Sequence, residues 1–215
     1  MALLIITVIS FVSVFILFIL FLLNFYRDPE REIPSGNNIV SPADGRIIRI
    51  LKLKGNKNNK NSGKTKISKG ILGKIESLTK DIAEECYVIS IFMSPFDVHV
   101  NRAPIDGVIL SVKHEKGAFF AAFDLKKSLM NEKNEIITEN RHIGKIKVIQ
   151  IAGFLARRVV CNVKKHEKVN KGQRIGKIVL GSQVTLILPC KKIRLKARKS
   201  QKVIAGSTIL AEFLL

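Results

Sequence analysis

The chain of 215 residues follows two hydrophobic patterns in succession. From Ala2 to Leu23 there is no charged side chain, and the only polar ones are Thr7, Ser10 and Ser13. At ~1.5 Å per residue such a run rises about 33 Å, enough to cross a hydrocarbon layer of roughly 30 Å. It is apolar all round rather than along one stripe, which separates it from a helix packed on a core. No Lys or Arg precedes Arg27, and the run closes in Leu22-Leu23-Asn24-Phe25-Tyr26-Arg27. It therefore lacks the basic start and small-residue end of a cleaved signal, and residues 1–25 are predicted to form an uncleaved transmembrane anchor.

From Tyr26 onward the apolar residues come in short runs broken by Gly, Pro and Asn. This pattern predicts strands rather than helices, at Arg46-Leu53, Lys74-Leu78, Cys86-Met93, Val108-Val112, Lys145-Ile151, Lys177-Leu180, Gln183-Leu188, Ile193-Ala197 and Thr208-Phe213. Residues 118–130 are left between a helix and an irregular segment, and a short helical turn is expected at 155–160. Two stretches, 168–176 and 202–210, share an apolar step, a Gly turn and a following strand, as in lipoyl-like β-sandwiches. The expected fold is α+β and mainly β: the anchor, then one β-rich domain over 26–215 whose C-terminal part is lipoyl-like.

Charge changes the picture next. Lys+Arg number 37 against 17 Asp+Glu, for a net charge of +20. Residues 52–74 hold eight Lys and no acid, and residues 191–202 hold seven Lys or Arg and no acid. Such stretches suit solvated loops, and they also suit attraction to anionic lipid, worth about 1 kcal/mol per basic residue near the surface. Nucleic acid is disfavoured as a partner, because the basic stretches lack interleaved aromatics and the chain has no Trp and only two Tyr. Cations beside the anchor place the body on the cytoplasmic side by the positive-inside rule. Cys86, Cys161 and Cys190 have neither metal-ligand spacing nor an even count, so neither a metal site nor a disulfide framework is expected.

The candidate chemistry sits at Gly181-Ser182. Gly has no Cβ to shield its carbonyl, and Ser places a hydroxyl next to it, between two apolar strands where a tight turn is expected. An ordinary hairpin is the bland reading. The reactive one is an attack by the hydroxyl on the preceding carbonyl. Gly206-Ser207 is a second Gly-Ser pair, but cleavage there would leave only nine residues downstream.

Three further segments accompany Gly181-Ser182: Arg27-Asp28-Pro29-Glu30-Arg31-Glu32-Ile33-Pro34, Val40-Ser41-Pro42-Ala43-Asp44-Gly45-Arg46, and Phe96-Asp97-Val98-His99-Val100-Asn101-Arg102. From about Tyr26 to the C-terminus the chain resembles phosphatidylserine decarboxylases, specifically the short membrane-anchored prokaryotic form. The resemblance implies a self-processing enzyme that converts phosphatidylserine to phosphatidylethanolamine and CO₂. It implies cleavage between Gly181 and Ser182 into a β chain (1–181) and an α chain (182–215) that stay together as an α/β heterodimer, with higher assembly left open. Ser182 would become a covalent pyruvoyl group, the pyruvate-derived cofactor, whose carbonyl forms a Schiff base with the substrate amine. His99 would be the base and Asp44 its orienting partner, a division of labour like that of other activated hydroxyls. These residues are 55 and 83 positions apart, so only the fold can unite them.

Asp97 fits a loop cap as well as a chemical role. Long-form members carry a second His where this chain has Arg102, so that residue's role does not transfer. Arg102, Arg157 and Arg158 are instead candidates for substrate phosphate or carboxylate, and a structural role suits Arg102 equally well. His114, His142 and His166 are read as surface residues. Phe119, Phe120 and Phe123 are either core or a surface dipping into the bilayer. The implied partners are an anionic phospholipid and the cell (inner) membrane. The alternatives are an archaetidylserine substrate, or a non-enzymatic membrane-anchored lipoyl-like adaptor.

Overall fold

The computed structural model describes residues 1–54, 79, 81–118, 130–153, 158–179 and 182–214. The anchor forms helix α1 (Ala2–Phe25), of mean hydropathy 3.1 and apolar on every side. Its side chains are exposed except near the foot, where Phe25 is buried. Thr7 Oγ1 donates to Leu3 O at 2.9 Å, so the hydroxyl has a partner within its own helix. The helix is long and apolar enough to cross a membrane.

Beyond it the described chain is built of antiparallel strands. They are β1 (Asn38–Val40), β2 (Gly45–Lys54), β3 (Glu85–Met93), β4 (Val100–Arg102), β5 (Gly107–Glu115), β6 (Lys133–Asn140) and β7 (Gly144–Ala152), followed by β8 (Val159–Cys161), β9 (Lys168–Val169), β10 (Arg174–Ile178), β11 (Ser182–Pro189), β12 (Ile193–Leu195), β13 (Lys202–Val203) and β14 (Ile209–Phe213). A large sheet runs β13-β2-β3-β11-β7-β6-β5-β9, and two three-stranded sheets run β1-β14-β12 and β4-β10-β8.

Strand β11 lies in the middle of the large sheet, and all eight of its residues are buried. Val184, Leu186 and Leu188 join the main core with Ile89, Ile91 and Val148, whereas Ile187 joins a second cluster with Cys86, Val88, Ile149 and Ile151. A strand covered on both faces needs no polar alternation, which is why 183–188 reads as one nearly unbroken apolar run.

Several expectations need correction. The predicted runs 177–180 and 183–188 do not form a hairpin: β10 pairs with β4 and β8, β11 pairs with β3 and β7, and the chain changes sheet between them. The helical turn expected at 155–160 gives way at Val159 to strand β8. Strand β6 was not anticipated, because its buried positions other than Ile136 are polar and spoil the apolar alternation. Asn134 Nδ2 donates to Gln150 Oε1 at 2.9 Å, Lys147 Nζ donates to Glu135 Oε2 at 3.1 Å, and Asn140 Nδ2 donates to Asp106 O at 2.8 Å. The expected strand at 74–78, the segment 119–129 with its three Phe, Gly181 and Arg157 lie outside the described residues.

The look-alike stretches adopt one shape. Each is a short strand, a glycine with left-handed φ (Gly172 at 83°, Gly206 at 78°) and a returning strand. The two turns face each other across Ile33, whose Cδ1 lies only 2.3 Å from a Cβ built at Gly172 and 3.0 Å from one at Gly206. Both the positive φ and this close approach require glycine there.

Candidate active site at the head of the central strand

Ser182 is the first residue of β11 and is fully buried, laddered to Met93 on one side and Ala152 on the other. Its Oγ points to Met93 Sδ at 3.3 Å. A thioether is a weak acceptor, so the hydroxyl is held without being committed to a strong partner.

Strand β3 ends at Met93, and the next four residues reverse the chain. Asp97 Oδ2 accepts from both the backbone N and the Oγ of Ser94 at 2.7 Å, and Asp97 N donates to Ser94 O at 3.0 Å. Asp97 is thus the cap of the turn, one of the two roles its sequence allowed. The turn delivers His99 into the interior at 3% exposure. Nδ1 lies 2.8 Å from Asp97 O, and a carbonyl can only accept, so Nδ1 carries the proton of the neutral ring. Nε2 is left as a lone-pair nitrogen, buried and without a hydrogen-bond partner. The Phe25 ring lies against the imidazole at 4.4 Å between centroids. Burial is the main reason its pKa falls below the ordinary His value of 6.5, outweighing the opposite pull of Asp97.

Asp44 closes the loop from β1 to β2. Its Oδ1 accepts from Ala205 N at 2.7 Å and its Oδ2 from Arg31 at 2.8 Å. Burial raises its pKa, with the Ala205 bond and the Arg31 charge acting against the rise. The next residue, Gly45, has φ 140°, and a Cβ there would sit 2.1 Å from Phe92 O. Only glycine allows the loop to press on the end of β3.

Backbone bonds gather these pieces at one end of the large sheet. Arg102 N donates to Pro42 O at 2.9 Å, and Ile178 N donates to His99 O at 3.2 Å, four residues before Ser182. Asn101 Nδ2 reaches the same Met93 sulfur at 3.8 Å and is fixed by Gln150 Nε2 donating to its Oδ1 at 2.8 Å. Asp44, His99 and Ser182 are therefore brought to one region. They do not form a connected hydrogen-bonded chain, since the His99 nitrogens face Asp97 O and unpartnered space.

Residues 27–34 cross this region from the foot of α1. Asp28 accepts from Arg102 at 3.0 Å and Arg174 at 2.5 Å, Glu30 accepts from Arg174 at 2.7 Å, and Arg31 reaches Asp44. Glu32 O accepts from Ser207 Oγ at 3.0 Å, so the hydroxyl of the second Gly-Ser pair is engaged. Arg102 is filled as well: besides Asp28 it donates to Pro29 O at 3.1 Å and Gly172 O at 3.0 Å. That is the structural role its sequence left open. Arg158 is exposed, and its carbonyl accepts from Val179 N at 3.2 Å. His114, His142 and His166 are exposed, as expected. Sequence reasoning missed Lys177 and Arg27, which with His99 line a cavity of about 410 Å³ at the foot of α1. The available signal was a lysine three residues after Arg174 within an otherwise apolar strand.

The chain is also similar to known proteins. A family model described as phosphatidylserine decarboxylase matches residues 18–211. A putative archaetidylserine decarboxylase proenzyme of Methanocaldococcus jannaschii is 42% identical over 190 residues, covering 87% of both chains. A phosphatidylserine decarboxylase proenzyme of Chlorobaculum tepidum is 39% identical over 191 residues, 88% of this chain and 76% of the relative. One from Rickettsia bellii is 38% identical over 190 residues, 88% and 73% respectively.

Proposed function

The chain belongs to the phosphatidylserine decarboxylase family, and from that premise we propose that it is a self-processing proenzyme that cuts itself before Ser182 and then decarboxylates a phosphoserine lipid to the corresponding ethanolamine lipid. The observation that carries the reading is the convergence of Ser182, His99 and Asp44 at one end of the large sheet, with His99 Nε2 buried and unpartnered.

His99, neutral at pH 7, takes the proton from Ser182 Oγ as that oxygen attacks the carbonyl of residue 181. The Met93 sulfur gives up the hydroxyl at little cost. His99 Nε2 and Ser182 Oγ are not hydrogen-bonded to each other here, and catalytic hydrogen bonds tighten in the reacting complex. Asp44, fixed by Arg31 and Ala205, holds the β1–β2 loop at this end of the site. The acyl shift from nitrogen to oxygen gives an ester; elimination then breaks the Ser182 Cβ–O bond, leaving residue 181 with a carboxylate and residue 182 as dehydroalanine, whose imine tautomer takes up water and loses ammonia to leave the new carbonyl terminus.

The surroundings suit a pyruvoyl group derived from Ser182, because the position is buried and backed by a thioether. Such a group supplies a carbonyl that draws off the electron pair left by departing CO₂. His99 would return a proton to that carbon, from a ring nitrogen that is itself buried. Placing the anchor in the cell membrane with the body on the cytoplasmic side follows from Arg27 and Arg31 at its foot.

The test is an intact-mass spectrum of the purified chain beside its Ser182→Ala variant. Two fragments meeting at Gly181-Ser182, the smaller ending in a pyruvoyl group and absent from the variant, support the proposal. A single uncut wild-type chain would overturn it and favour the non-enzymatic adaptor. A second reading, archaetidylserine as substrate, is favoured by the similarity to the Methanocaldococcus relative. Parallel assays on vesicles of phosphatidylserine and of archaetidylserine separate the two.

A further inference from the structure

We propose that the cavity at the foot of α1 holds the phosphate of a phosphodiester headgroup, with Lys177 as its charge partner and Arg27 beside it on the side of the anchor. The inference rests on the decarboxylase reading, because it places the headgroup of that substrate.

Four observations lead to it. The first is position: the walls combine Phe25, Tyr26 and Arg27 from the foot of the anchor with His99 and strand β10. A ligand there sits beside the candidate base and at the level where a spanning helix meets lipid headgroups. The volume, about 410 Å³, lies within the range of small-ligand sites.

The second is a re-aimed strand. On the β4 side the partners run Arg174–Arg102, then Gly176–Asn101 and Lys177–Val100, so Ile175 is an extra residue. Residues three apart on a regular strand point to opposite faces. The extra residue cancels that offset, so Arg174 and Lys177 are both exposed while Ile175, Gly176 and Ile178 are buried. The bulge thereby turns two cations toward one cavity.

The third is which of those cations is spoken for. Arg174 is held by Asp28 and Glu30, and Asp28 is shared with Arg102. Asp28, the one acid among the described residues that line the cavity, is thus already compensated. Among the described residues Lys177 forms no ion pair, and Arg27 makes hydrogen bonds to neutral oxygens, including Phe96 O at 2.8 Å. Two cations facing a small cavity without an anion of their own suit a phosphate. The fourth is an exclusion: Arg102, the arginine the sequence nominated, has its guanidinium occupied by protein.

The test begins with the uncut full-length Ser182→Ala chain in detergent, so that no activity is needed. Glycerophosphoserine is titrated calorimetrically, with inorganic phosphate as a second probe. Adding Lys177→Ala is expected to weaken glycerophosphoserine binding about tenfold, as befits loss of one charged hydrogen bond, and Lys177→Arg to restore most of it. Binding unaffected by Lys177→Ala would overturn the site. Inorganic phosphate bound as tightly as glycerophosphoserine would reduce it to an anion site and overturn the headgroup assignment. In the cleaved enzyme on mixed vesicles, Lys177→Ala should raise KM about tenfold with kcat within about twofold and self-cleavage complete. A fall in kcat at constant KM would also overturn the assignment. A wild-type chain that binds glycerophosphoserine through Lys177 yet never cleaves or decarboxylates would sink the decarboxylase reading while leaving the site in place.

Discussion

At the scale of single residues, burial sets the chemistry. His99 is dry, so its folded pKa lies below 6.5. The folded state then binds fewer protons than the unfolded chain over the window between the lowered value and 6.5. Stability contributed here is present above that window and is lost as pH falls through it. The same sign applies to the base. Self-cleavage of freshly synthesised chain should be level with pH above about 6.5 and decline only at lower pH. Phe25→Ala, which admits water to the imidazole, should move the decline upward toward the ordinary His value. Time courses of cleavage across pH after cell-free synthesis with detergent check both; a decline already complete above pH 7 would contradict the burial argument. The proposed reactive residues were nominated by a resemblance, since a Gly-Ser bond, a His in a Pro-kinked loop and an Asp-Gly turn are each ordinary local signals and are specific only in combination. Their partners were not legible in the sequence. The capture of Arg102 by Asp28 joins residues 74 positions apart, and the filling of its guanidinium depends on where residues 27–34 cross the sheet.

At the scale of elements, the strands the sequence displayed are those whose side chains obey a simple apolar rule. β3 and β11 could be read because most of their buried side chains are apolar, and β7 because Ile146, Val148, Ile149 and Ile151 outweigh its buried Lys147 and Gln150. β6 could not, because four of its buried side chains, Asn134, Glu135, Thr138 and Asn140, are polar, and Glu135 is paired with Lys147 of β7. Lys147 is 2% exposed and bonds Glu135, itself 8% exposed, with Lys133 at 3.4 Å from Glu135 and Asp81 at 3.9 Å from Lys147. Removing one member of such a pair leaves a buried charge, and the penalty is typically larger than the pair's net contribution. Glu135→Ala is therefore expected to destabilise the protein by about 3 kcal/mol, whereas the double change Lys147→Met with Glu135→Leu should lie within about 1 kcal/mol of wild type. Thermal melts of the two variants in the same detergent decide this. A double variant less stable than the single would mean that the pair specifies the β6–β7 register. The unexpected end of β10 has the same origin in non-local structure: the bulge opposite β4 cannot be seen in Arg174-Ile175-Gly176-Lys177-Ile178 alone.

At the scale of the whole molecule, the proposed cut would fall where the chain passes from one sheet to another, and that location decides what cleavage can do. The piece from Ser182 onward is not an appendage. It contributes β11 between β3 and β7, β13 on the edge beside β2, and β14 between β1 and β12. Its residues Val184, Leu186, Leu188, Ile193, Leu210 and Ala211 sit in the same core as Ile39, Ile89 and Val148 from the larger piece. Taking β11 out would expose the ladders of both neighbours and split the core, so neither fragment has a folded state of its own to reach. Cutting one peptide bond at the head of β11 leaves all these contacts in place and frees only the terminus that the chemistry needs. The cleaved protein should accordingly run as one species on gel filtration in detergent, resist separation by high salt, and release the smaller fragment only in denaturant, in the same cooperative transition that unfolds the larger one. A small fragment that dissociates before the large one unfolds would show that β11 is held less firmly than its two ladders and two-sided burial require.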